Sequence, residues 1–111
     1  MSINPWKEYE ASEKVAYENS GLPYWICNFW AGRADGIEWC IKHLNDKSAL
    51  KKEYEGCLTK KKRAKANDFV QYYEGRADGV RLCLDNFDNL ELPEDLAERK
   101  NRVMEEEKNE A

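Results

Sequence analysis

Two five-residue strings hold the residue types best suited to chemistry, Gly32-Arg33-Ala34-Asp35-Gly36 and Gly75-Arg76-Ala77-Asp78-Gly79. Each sets an arginine and an aspartate near aromatic residues, Trp25 and Trp30 in the first case, Tyr72 and Tyr73 in the second. A guanidinium can clamp a phosphate with paired hydrogen bonds while a flat ring stacks on a base, so the combination suits a nucleotide or another anionic small molecule. The glycines, however, are spaced for helix packing, and neither a P-loop nor a G-x-G-x-x-G string is present. Catalysis has less behind it. The single histidine, His43, stands beside Asn45 and Asp46 with no serine or cysteine placed to form a nucleophile pair, and there is no Glu-x-x-His motif. Cys27, Cys40, Cys57 and Cys83 are 13, 17 and 26 residues apart, which fits neither a C-x-x-C pair nor a zinc ligand set. Such thiols are expected to stay reduced and to pack as small hydrophobes. The expectation is therefore a protein that is not an enzyme, with no metal and no cofactor.

Charge is segregated along the chain. Residues 51–65 carry seven cations (Lys51, Lys52, Lys60, Lys61, Lys62, Arg63, Lys65) against Glu53 and Glu55, whereas residues 91–111 carry eight carboxylates against four cations. The run Lys60 to Lys65 could touch phosphate, but the acidic segment in the same small chain argues against nucleic acid as the partner. A composition that is 41% hydrophobic and 36% charged excludes disorder throughout. The longest uncharged stretch, Asn19 to Gly32, contains Pro23 and is far short of the roughly 20 apolar residues a membrane helix needs. The first residues lack the basic start and apolar run of a secretory signal, so a cytoplasmic protein is expected, without membrane attachment.

The elements that must position these residues follow from an internal repeat. The two GRADG strings lie 43 residues apart, and the match extends outward: Phe29 and Trp30 align with Tyr72 and Tyr73, Ile37 with Val80, Cys40 with Cys83, Ile41 with Leu84 and Leu44 with Phe87. Apolar residues recur at three and four, which predicts helices over about 24–46 and 68–89. Asn67 and Asp68 are candidate caps for the second. Segments 48–65, with Ser48 as cap, and 93–109, opened by Pro93, also read as helices. Asn4-Pro5 starts a further helix that ends near Ser20 and Gly21. The expected fold is all-α: a duplicated two-helix unit of about 43 residues forming a four-helix bundle-like domain with an N-terminal helical arm. The divisions are 1–22 for the arm, 23–66 for the first unit and 67–111 for the second with its acidic tail.

At about 100° per residue, Gly32 and Gly36 share one stripe with Trp25 and Phe29 beside it, and Gly75 and Gly79 repeat the arrangement. Glycine inside a helix costs roughly 1 kcal/mol relative to alanine, so four of them ask for a compensating contact, namely close approach of a second helix. The two grooves are thus expected to pack on each other across an approximate twofold axis. Arg33 and Arg76 fall in the middle of the apolar arcs and need acceptors from elsewhere, because an unpaired buried charge is costly. Reciprocal bridges, Arg33 to Asp78 and Arg76 to Asp35, would supply them if the helices run in the same direction or cross strongly.

The string of two aromatics, one variable residue, GRADG and an aliphatic, at Phe29 to Ile37 and Tyr72 to Val80, resembles helices of small accessory proteins of phages and their bacterial hosts. The resemblance covers only these two helices. It implies an all-helical protein that acts by binding, for instance by inhibiting a host enzyme or defence system. The wide apolar arc of the first repeat helix, with Trp25, Trp30 and Trp39, adds the expectation of a protein partner, or of a homodimer or higher oligomer.

Overall fold

The computed structural model of the chain describes residues 3–18, 24–44, 46–90 and Glu105, with backbone alone for 24–26. Four helices form in order: α1 (Pro5–Glu18), α2 (Tyr24–Lys42), α3 (Lys47–Arg63) and α4 (Asn67–Asp85), followed by a single 3-10 turn, Phe87–Asn89. No strand occurs among the described residues. An isolated bridge pairs Ile3 with Leu90, and the Ile3 N–H donates to the Asn89 carbonyl at 3.0 Å, tying the start of the chain to the segment after α4. No helix among the described residues is long and apolar enough to cross a membrane.

Local chemistry accounts for the helix starts. Asn4 accepts from the N–H groups of Trp6 and Lys7 at 3.0 and 3.2 Å, and Pro5, which has no N–H to leave unpaired, opens α1. Helix α3 is capped by Asp46, whose side chain accepts from the Ala49 N–H at 3.1 Å; Ser48, the expected cap, lies inside the helix because Asp46 already supplies the acceptor one residue before the first turn. Asn67 and Asp68 likewise fall inside α4, which starts from Ala66 with no side-chain cap. Helices α2 and α4 stop earlier than expected, at Lys42 and Asp85, and Phe87 turns into the core from the 3-10 turn instead of extending α4. The helix expected over 93–109 lies outside the described residues, Glu105 apart.

Helices α2 and α4 form the central layer. They run in the same direction: Asn28 near the start of α2 meets Asp68 near the start of α4, and Cys40 near the end of α2 meets Cys83 near the end of α4. Helix α1 packs on α2 and α3 packs on α4, so each GRADG helix is backed by the helix that precedes it in the chain. The slab measures 49 × 28 × 20 Å. Its apolar core collects at the C-terminal halves of α2 and α4, where Ile37, Cys40, Ile41, Leu44, Val80, Cys83 and Phe87 enclose Leu50 of α3. Cys40, Cys57 and Cys83 are buried as free thiols, and the less buried Cys27 donates to the Ala16 carbonyl at 3.4 Å.

Candidate functional site

The glycine grooves face each other. A methyl group added at Gly32 would strike the Tyr72 carbonyl, one at Gly36 the Arg76 carbonyl, one at Gly75 the Phe29 carbonyl and one at Gly79 the Arg33 carbonyl. The obstacle in every case is backbone, which cannot swing aside as the end of a side chain can. The contacts are reciprocal, as an approximate twofold axis along the seam requires, and they bring the two arginines to the edges of one interface.

Arg33 retains only 14% side-chain exposure and directs its donors at the protein. Its Nε meets Asp78 Oδ2 at 2.9 Å, its Nη1 meets Ser12 Oγ at 2.7 Å, and Nη1 and Nη2 both reach Glu8 Oε2 at 3.4 Å. Ser12 is fully buried and passes its own proton to the Glu8 carbonyl at 2.8 Å, so its oxygen is free to accept from Arg33. Arg33 also lies over the Trp30 ring, 5.7 Å from its centroid.

Arg76 departs from the expected reciprocity. It meets Glu53 of α3 through Nε at 3.0 Å and the Tyr72 hydroxyl through Nη1 at 3.4 Å, while Tyr72 donates to Asp35 at 2.7 Å. The bridge from Arg76 to Asp35 is thus relayed through a phenol. One difference between the copies bears on this: Tyr72, whose hydroxyl lies between Arg76 and Asp35, occupies the place of Phe29, which has none, and Arg33 reaches its aspartate directly. Burial and the hydrogen bond to Asp35 raise the Tyr72 phenol above its ordinary range, which keeps it a donor.

The residues supporting the arginines from behind, Glu8, Ser12 and Glu53, are those the sequence reading missed. A signal for them exists. Lys7-Glu8-Tyr9-Glu10 in α1 recurs as Lys52-Glu53-Tyr54-Glu55 in α3, followed by Ala11-Ser12 and Gly56-Cys57. The offset is 45 residues, not 43, because the connection from α1 to α2 is two residues longer than that from α3 to α4. A search at one fixed spacing loses it. Cys57 even takes the place of Ser12, with its thiol directed at Glu53 at 3.6 Å.

The rings meet separate fates. Trp30 stands edge-on to Phe29 and Tyr73 edge-on to Tyr72, and among the described residues no aromatic cage forms around either guanidinium. The Trp25 side chain lies outside the described residues. Beside each arginine is a shallow groove. One of about 200 Å3 is lined by Asp35, Glu38, Trp39, Lys42 and Arg76; its counterpart of about 240 Å3 includes Arg33, Asp78, Arg81, Leu82 and Asp85. Both carry carboxylates, which repel an anion. His43 stacks on Trp39 with its Nδ1 at 2.7 Å from the Trp39 carbonyl. Among the described residues no group of three or more potential metal ligands converges.

A different surface was visible only as charge. At the hairpin end where α3 meets α4, Lys60 lies over the Tyr73 ring at 5.8 Å, Lys61 pairs with Glu74 at 3.6 Å, and Phe69 is 60% exposed. Asn28, Phe69, Tyr72 and Tyr73 line a hollow of about 250 Å3 there. No family model matches the chain, and no curated protein or solved structure is similar to it.

Proposed function

We propose that the chain is a non-catalytic helical interaction protein that works by binding another protein, with inhibition of a host enzyme or defence system as the outcome the phage-type resemblance implies. The observation that carries this reading is the use of Arg33, whose donors go to Glu8, Ser12 and Asp78 and leave little for a ligand. Residues that looked like ligand chemistry serve to join helices, and what remains for function is surface. The two repeated strings support a duplicated unit, with α1–α2 as one copy and α3–α4 as the other. On this reading the division between the copies would fall in the connection before α3, and α1 would belong to the first copy. Tyr17, 81% exposed on α1, is a candidate contact for a partner or a second copy.

A second reading, an anionic small molecule held at Arg76, draws support from the groove beside Trp39, where Lys42 adds a second cation, but is opposed by Asp35 and Glu38 in its lining. Native mass spectrometry of the purified chain, with affinity capture from host lysate at low and high salt, separates the two. A stoichiometric protein partner, lost on Tyr17→Ser with the fold intact, is expected. A copurifying phosphate compound that disappears on Arg76→Gln would replace this reading with the second.

A further inference from the structure

The duplication supplies an internal control for the basic run. Aligned on their shared KEYE string, Val15, Ala16, Tyr17 and Glu18 at the end of α1 correspond to Lys60, Lys61, Lys62 and Arg63 at the end of α3. Both helices do the same structural task, presenting a glutamate to the arginine of the GRADG helix that follows and burying an equivalent serine or cysteine. Helix α1 performs it with no cation in its last turn. The task the two helices share therefore does not require the four cations that end α3. Complementing the helix dipole does not call for them either, since α1 ends on Glu18. Only Lys61 is joined to a carboxylate, Glu74; no ion pair engages Lys60, Lys62, Arg63 or Lys65 among the described residues.

Next to this charge Phe69 is exposed, with Tyr72 and Tyr73 half-buried beside it. Phe69, Tyr72 and Tyr73 wall the hollow of about 250 Å3, with the Asn28 amide at its rim, and Tyr73 is shared with Lys60, which joins the hollow to the cations. Flat faces beside a cluster of positive charge are what a strand with unpaired bases requires: bases stack on rings whatever their identity, while phosphates are met by lysine and arginine. A duplex keeps its bases stacked inside and could use only the cations. An acidic peptide could use the cations but would gain nothing particular from aromatic walls.

We propose that the α3–α4 hairpin end, formed by Lys60 to Lys65 with Phe69 and Tyr73, binds single-stranded nucleic acid. This goes beyond the protein-partner reading and does not depend on it. The test is fluorescence anisotropy of the full chain with fluorescein-labelled (dT)20 and (rU)20, alongside a dT·dA duplex of equal length and a 20-residue polyglutamate, from 50 to 300 mM NaCl. Expected is binding of at least one single strand, tighter than duplex or polyglutamate, that weakens steeply with salt as counterions are released. The quadruple variant K60Q/K62Q/R63Q/K65Q should lose at least tenfold in affinity. Phe69→Leu, which keeps the apolar volume but removes the ring, should lose several-fold, both with unchanged helicity by circular dichroism. Absence of binding to both single strands at 50 mM NaCl overturns the proposal. Equal or tighter binding of polyglutamate or duplex overturns it in favour of an acidic protein or a simple charge contact, as does indifference to Phe69→Leu.

Discussion

At the scale of residues, Arg33 and Arg76 show how one sequence position can be read as ligand chemistry and used as architecture. A guanidinium placed among aliphatic side chains takes whatever acceptors surround it, and here those are Glu8, Ser12 and Asp78 around one, Glu53 and Tyr72 around the other. Removing Arg33 leaves a buried hydroxyl and two carboxylates with lost donors. Because Glu8 and Asp78 are 40% and 52% exposed, water compensates them in part, so Arg33→Ala is expected to cost about 2 kcal/mol by urea unfolding. Arg33→Lys should recover only a fraction, since a compact ammonium cannot serve three partners in a fixed fork. Full stability of the alanine variant would show these contacts to be idle.

At the scale of elements, the seam between α2 and α4 is decided by the absence of side chains. Gly75→Ala places a methyl group against the Phe29 carbonyl, so the helices must separate along the whole groove; a loss of at least about 3 kcal/mol, or failure to fold, is expected. Gly56 in α3 is the contrast, because nothing lies within 4 Å of a methyl group built there. Gly56→Ala should stabilise the chain by about 0.5–1 kcal/mol through helix propensity and a less flexible unfolded state. Thermal melts of the two variants should therefore move in opposite directions. The repeated glycines were legible in sequence because spacing of four on a helix means one stripe. The partner helix of each arginine was not, because Glu8 and Glu53 lie on elements whose offset differs from that of the glycines they support.

At the scale of the whole molecule, several acidic protons are held more tightly in the folded chain than outside it. Burial, with Glu13 and Glu38 nearby, pushes the Tyr9 phenol up to about 12, and burial with Glu53 nearby pushes the Cys57 thiol up to about 11. Cys40 is raised as well, by its hydrogen bond with Cys83 and by burial. Groups whose folded value lies above the unfolded one contribute stability that is complete below the ordinary value and disappears as pH rises through the folded value. Urea midpoints should thus fall between about pH 9 and 12, and Tyr9→Phe should flatten part of that decline. A midpoint that stays level to pH 11 would mean that these groups are as accessible in the folded chain as in the unfolded one.

The all-helical class, the helix start at Pro5 and the two glycine stripes were legible in the sequence, because periodicity and steric smallness act within a few residues. Only in the folded chain does it emerge that α1 backs α2 and α3 backs α4, that Tyr72 relays what Arg33 makes directly, and that Phe69 is exposed beside cations that make no ion pair among the described residues. Each of these depends on which surfaces meet across long separations in the chain. A guanidinium or a ring carries no mark in sequence of the neighbour it will find.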